Sequence, residues 1–229
     1  MNLSIIIPAY NSGQFIEKNI ETLLNNFSGS EIIIVNDGST DDTLNKISNY
    51  QEKIVIINHS KNYGKGKALR SGFKIASKDI IIFTDADLPY GIENIKIMYD
   101  MLARNEGDVI IGYRTDFKEN FWRHATHWGI NIIIQTLFWW SIFDTQCGIK
   151  GFKKSFIDKI ESKLIIDNFT IDIELLYMAK IHKQKILKIL VEMKKDTHAS
   201  TIKIKDIIIM CFDILKIRFN KNYFKNKND

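Results

Sequence analysis

Two aspartates one residue apart, Asp85 and Asp87, close the run DIIIFTDADLPYG (79–91) directly after an apolar stretch with the composition of a buried strand. If the strand continues that far, its period of two puts both side chains on one face. Like charges held that close are costly unless a cation sits between them. The plain alternative is a pair of surface or helix-capping acids. A second acidic turn, VNDGSTDDT (35–43), ends a strand-like run in Asp37. Gly38 there permits a tight turn, and Ser39 to Asp42 can cap a following helix. By itself this is an ordinary strand-to-helix turn. A phosphate-accepting aspartate of the receiver type would need an acidic pair after the first strand, where PAYN (8–11) stands instead. A third turn, NYGKGKALRSGF (62–73), brings Gly and Lys to the start of a helix and suits anionic groups.

The elements that must position these residues alternate regularly. Apolar, β-branched runs occur at 3–8, 31–37, 53–59, 79–85 and 108–113, separated by segments of helical period such as GQFIEKNIETLLNNF. Strands apolar throughout belong in a parallel sheet covered on both faces, so the expected fold class is α/β: a doubly wound, mostly parallel sheet with helices on both faces. Ligands of such sheets bind at the carboxyl ends of the strands, where PAYN, Asp37 and Asp85 all fall. After residue 114 the rhythm changes to a polar loop, an aromatic-rich segment, DTQCGIKGF (144–152), a helix in TIDIELLYMAKIHKQ, a strand in KILKILVEM and a final helix with a basic tail. We expect a single domain over 1–201, with a first half (1–114) and a second half (115–201), followed by an amphipathic helix and tail over 202–229.

The chain of 229 residues carries 45% apolar residues and a formal charge of +5, an ordinary globular balance with a bias toward anionic partners. Two cysteines without ligand spacing read as reduced thiols of a cytosolic protein. The N-terminal apolar run is too short for a signal peptide. No stretch reaches the roughly 18 uninterrupted apolar residues of a membrane span.

Taken in order, IIIPAYNSG, VNDGSTDDT, NYGKGKALRSGF and TDAD resemble the family 2 glycosyltransferases of the GT-A fold over roughly residues 3–114. GYR (112–114), DTQCGIKGF and FTIDIELLYMA (169–179) are similar to the polyprenyl-phosphate hexose synthases, especially the dolichyl-phosphate glucosyltransferase type. The resemblance implies an inverting transfer of a hexose, first of all glucose from UDP-glucose, to a polyprenyl phosphate. A GDP-hexose donor stands beside the UDP-hexose. By the same resemblance Pro8, Ala9, Tyr10 and Asn11 border the nucleotide, Asp37 accepts hydrogen bonds from the base, and Lys65 lies on the nucleotide side. Asp85 and Asp87 match the aspartates around a diphosphate-bound metal. Hard carboxylate oxygens suit Mg2+ or Mn2+. A Gln that adds a metal contact in many mannose-transferring relatives is replaced by Pro89.

On the acceptor side, a polyprenyl phosphate is largely dianionic at neutral pH and needs cations rather than a base. Arg114 and Arg123 match the phosphate-binding arginines by order, and His127 shares a helix face with Arg123. A solvated helix face is the plain reading of Arg123 and of the nearby His124. Gln146 reads as a polar wall of the pocket, and Asp87, Arg114 and Arg123 as the residues nearest the chemistry. Asp172 and Glu174 read as pocket-lining or structural. They are the candidate bases if the acceptor is a hydroxyl group of a growing glycan. A non-catalytic nucleotide-binding module is the reading from another class. The aromatic segment and the tail KIRFNKNYFKNKND suit an anionic membrane surface. The expectation is therefore a cytoplasmic protein, peripheral on the cytoplasmic membrane face, working in cell-envelope glycan synthesis. It would have a membrane-protein partner as anchor and no nucleic-acid partner.

Overall fold

The structure is a computed structural model that describes residues 1–114, 145, 147–193 and 204–224. The aromatic segment after residue 114, with Arg123, His124 and His127, lies outside the described residues, as do Gln146, residues 194–203 and the basic tail beyond residue 224.

The described strands form one 7-stranded sheet in the order β3-β2-β1-β4-β6-β5-β7. They are β1 (Leu3–Ala9), β2 (Glu31–Asn36), β3 (Val55–Asn58), β4 (Ile80–Phe83), β5 (Val109–Tyr113), β6 (Lys150–Lys153) and β7 (Ile186–Leu190). β6 runs antiparallel between β4 and β5, and every other pairing is parallel. The doubly wound, mostly parallel sheet expected from the apolar runs is the sheet observed. The addition is β6. KGFK has no apolar run, and a Lys and a Gly inside a strand hide it from periodicity.

Alternation along each strand divides the core between the two faces. Ile5 and Ile7 of β1 pack with Ile32, Ile34, Ile80 and Ile82 under α1 (Ile16–Asn26), α2 (Thr43–Ser48) and α4 (Gly91–Ala103). Ile6 faces the other way with Ile33, Val35, Ile81 and Phe83. That face is covered by α3 (Lys65–Ile75), α5 (Lys154–Ile160), α6 (Ile171–Ile181) and α7 (Ile204–Phe219). A fully buried Ile or Phe contributes about 1.5–3 kcal/mol each, so two complete apolar layers make this sheet a rigid platform. α6 is buried almost all round, including Asp172 and Glu174, which a solvated helix face would have left exposed. Among the described residues, no helix is long and apolar enough to cross a membrane.

Candidate active site

The chain winds from β1 outward through β2 and β3, then returns to lay β4 on the other side of β1. The crevice at the carboxyl ends of β1 and β4 is thus the topological switch point, where open α/β sheets bind ligands. Pro8 helps to open it. The carbonyl of Ile6 accepts from Thr84 N–H and that of Ala9 accepts from Asp37 N–H, so alternate residues of β1 serve its two neighbours. Residue 8 would donate toward β4, but proline has no N–H, and the β1–β4 register ends at Ile6 opposite Phe83. Pro8 and Ala9 still belong to the strand, so the turn proper starts at Tyr10.

Tyr10 and Asn11 are exposed at this edge, with Asn11 in the left-handed region at φ 49°. Asn11 Oδ1 accepts from Thr40 N–H at 2.8 Å, and Asn11 N–H donates to Ser39 Oγ at 3.0 Å. Gly13 N–H donates to Asp41 Oδ2 at 2.9 Å, and Asp41 Oδ1 accepts from Thr43 N–H at the start of α2. The PAYN and DGSTDD turns are therefore laced into one wall, and Asp41 supplies the cap expected from Ser39 to Asp42.

Asp37 is buried beneath that wall. Its carboxylate accepts from Gly64 N–H at 2.7 Å and from Tyr63 N–H, and it contacts His59 Nδ1 at 2.7 Å. His59 Nε2 in turn meets Ser71 Oγ at 2.9 Å. The Asp37 side chain thereby holds the turn that leads into α3. Gly64 sits at φ 101°, and a Cβ there would meet the carbonyl oxygen of Asp167 at 2.4 Å, so the position calls for glycine on both counts.

The two aspartates of the TDAD turn do not lie on a strand. β4 ends at Phe83, and Leu88 N–H donates to the Asp85 carbonyl at 3.0 Å, closing a turn. Leu88 is left at φ 46°, a conformation that costs a non-glycine residue roughly 1–2 kcal/mol. The shared-face argument from strand period therefore fails, because the chain turns before the second carboxylate. Asp85 is still reached from solvent, with 36% of its side chain exposed, and Asp87 is half-buried.

A cation does sit on Asp85, and it belongs to the protein. Lys65 Nζ lies 2.9 Å from Asp85 Oδ1 and 3.4 Å from Asp172 Oδ2. The other oxygen of Asp172 is bound by Lys150, which also donates to the Cys147 carbonyl at 2.7 Å. Both ammonium groups stand 5.5 Å from the ring centroid of Phe83. Lys150 is completely buried, and 2% of Asp172 is exposed. Burial works against the charge on Lys65, but Asp172 and Asp85 more than offset it and hold the ammonium well above its ordinary pKa. Lys65 is thus held between two carboxylates. Lys150, strapped by the unforeseen β6, is the charged residue sequence reasoning missed.

Gly148 closes the back of the turn, since a Cβ there would fall 1.9 Å from Asp85 Oδ2. Beside it, Gly148 N–H reaches the hydroxyl of buried Tyr90 at 3.4 Å. Burial, with Cys147 and Asp85, pushes the Tyr90 phenol upward, and nearby Arg114 pulls it down. Arg114 stands just past the carboxyl end of β5, where its charge reaches that phenol. Glu174 is engaged elsewhere. Its oxygens accept from Ile165 N–H at 2.8 Å, Ile166 N–H at 3.1 Å and the hydroxyl of Tyr223. Burial raises its pKa despite those bonds.

Among the described residues, no group of three or more His, Cys, Asp and Glu side chains could hold a metal ion. Two hard carboxylates at a solvent-reached turn do fit Mg2+ or Mn2+ if ligand oxygens and water complete the shell. Pro89 adds no ligand.

The family described as glycosyl transferase family 2 matches residues 4–161. A dolichyl-phosphate beta-glucosyltransferase of Trichomonas vaginalis is 29% identical over 94% of this chain and 72% of its own length. One from Dictyostelium discoideum is 29% identical over 95% and 74%. Among solved structures, glucosyl-3-phosphoglycerate synthase of Mycobacterium tuberculosis, in complex with Mn2+, UDP and glucosyl-3-phosphoglycerate, superposes with TM-score 0.73 at 16% identity. That match covers 94% of this chain and 77% of the other, and it shows the fold.

Proposed function

The chain belongs to glycosyl transferase family 2, and on that premise we propose that it moves glucose from UDP-glucose to the phosphate of a polyprenyl phosphate, with inversion at the anomeric carbon. The observation that carries the reading is the TDAD turn at the β1–β4 switch point, with Arg114 just past the end of β5. One end of the crevice offers carboxylates to a diphosphate-bound ion, and the other offers a cation to an acceptor phosphate. The relatives named dolichyl-phosphate beta-glucosyltransferases support glucose and the lipid phosphate. The UDP in the structural neighbour supports the nucleotide.

Tyr10 and Asn11 border the nucleotide on the wall they form with residues 39–43. Asp85 and Asp87 would hold Mg2+ or Mn2+, whose charge would stabilise the departing diphosphate. Arg114, with Arg123 and His127, orients the acceptor phosphate, whose own oxygen attacks and needs no base. A hydroxyl acceptor would need one within reach of its proton. Asp172 is bound by two lysines and Glu174 by two amides and a phenol, so neither geometry suits that task. The exposed apolar side chains of α7 give the protein a seat on the membrane that carries the lipid. The test is a donor panel of UDP- and GDP-hexoses with a short polyprenyl phosphate and Mg2+ or Mn2+, read by mass spectrometry. UDP-glucose should give the glycolipid; no glycolipid with any donor contradicts the reading.

A further inference from the structure

We propose that Lys150 and Asp172 are positioning residues that set, through Lys65, how much of the Asp85 carboxylate is available to a divalent ion. The inference rests on the reading above that Asp85 and Asp87 hold that ion. Four charges of alternating sign form a chain: Lys150 on Asp172, Asp172 on Lys65, and Lys65 on Asp85. The first three lie in the protein, and only Asp85 reaches solvent. Lys65 is shared unequally, nearer to Asp85 than to Asp172. In this chain Lys150 occupies Oδ1 of Asp172, so Lys65 meets Oδ2 there and keeps its shorter contact on Asp85. The second bond of Lys150, to the Cys147 carbonyl beside Gly148, ties the chain to the loop that backs Asp85.

The consequence is a carboxylate pair whose charge is partly cancelled before any ligand arrives. An ion held by two carboxylates, one already paired with an ammonium, is bound weakly alone and firmly only with a diphosphate to complete its charge. Such a site favours loading and leaving of the ion together with the nucleotide.

The chain predicts effects of opposite sign from its two inner members. In Lys150→Met, Asp172 regains its full charge and draws Lys65 inward, so Asp85 is uncovered. Mn2+ should then bind the nucleotide-free protein roughly five- to fiftyfold more tightly, because opposite charges at a few ångströms dominate such a site. In the isosteric Asp172→Asn, Lys65 is left with Asp85 alone, and Mn2+ should bind more weakly by a similar factor. Both variants should lose turnover by roughly 10- to 100-fold with little change in KM for the acceptor, because a small displacement of Asp85 misplaces the leaving group.

The experiment is titration of full-length wild type, Lys150→Met, Asp172→Asn and Asp85→Asn with Mn2+, followed by electron paramagnetic resonance. Thermal melting of each variant runs alongside. A merely structural role would lower melting temperatures and loosen Mn2+ in both inner variants, never tighten it in one. Tighter binding in Lys150→Met with weaker binding in Asp172→Asn is the expected result. Binding that Asp85→Asn abolishes but the two inner variants leave unchanged overturns the inference while sparing the metal reading. Absence of Mn2+ binding in every protein, both alone and with UDP added, overturns both.

Discussion

At the residue scale, the account depends on what surrounds one carboxylate. Asp85 has Lys65 on one oxygen and Gly148 against the other. A methyl group at residue 148 must displace the carboxylate, since the backbone behind it is held by β6. Gly148→Ala should therefore reduce turnover by roughly tenfold or more, while the exposed Asp85 side chain yields and stability falls by only about 1 kcal/mol. Steady-state kinetics beside a denaturant melt separates the two effects. Much at this scale was legible in the sequence: the turns PAYN, VNDGS and TDAD stand at one edge of the sheet, as their order implied. The partners of Asp37 and Lys65 were not legible. His59 and Gly64 lie in a different turn from Asp37, and Asp172 is more than a hundred positions from Lys65. A charged side chain shows its type in a sequence but not its counterion.

Elements show the same division between what repeats and what is tertiary. The apolar runs of β1, β2, β4 and β5 announced themselves because both faces of each are buried, and edge strand β3 did so through its β-branched residues. β6 did not, because its Lys150 is acceptable in a sheet only once Asp172 is in place on α6. Nor did the acids of α6 reveal that the helix is buried on all sides. The final helix, α7, docks through Met210, Ile214 and Ile217 and through Asn168 bonded to Asp213. The 3₁₀ turn Lys221–Phe224 follows it, and Tyr223 donates from there to buried Glu174. Tyr223→Phe leaves that acceptor short of a donor and should cost about 1–3 kcal/mol in urea unfolding. The same carboxyl predicts a pH dependence. Its folded pKa is raised above 4.5, so its contribution is fully present below that pH and is lost as pH rises through the folded value. Relative to Glu174→Gln, the wild type should gain stability as pH falls from 7 toward 4.5. A flat difference across that range would show that Glu174 ionises as it does in the unfolded chain.

The whole molecule presents two different surfaces. The carboxyl edge of the sheet holds the charged crevice. On α7, Ile208, Phe212, Leu215 and Phe219 follow one another at helical spacing and are exposed, Phe212 at 69% and Phe219 at 71%. Lys216 and Arg218 adjoin them in the last turn. An exposed apolar stripe beside cations suits an anionic bilayer, the place where a polyprenyl phosphate resides. Wild-type protein should float with phosphatidylglycerol-containing liposomes, and Phe212→Glu with Phe219→Glu should return most of it to the soluble fraction. Flotation unchanged by the pair would move the contact elsewhere on the molecule.

In the proposed transfer the atom that receives the sugar is a phosphate oxygen of the lipid, and ³¹P NMR of the protein with UDP-glucose, a short polyprenyl phosphate and Mg2+ reads it. The account predicts that the lipid phosphomonoester signal is replaced by a phosphodiester signal as UDP appears, and that the new anomeric proton shows the β configuration. A monoester signal that persists while a glycan hydroxyl is glucosylated instead would contradict it.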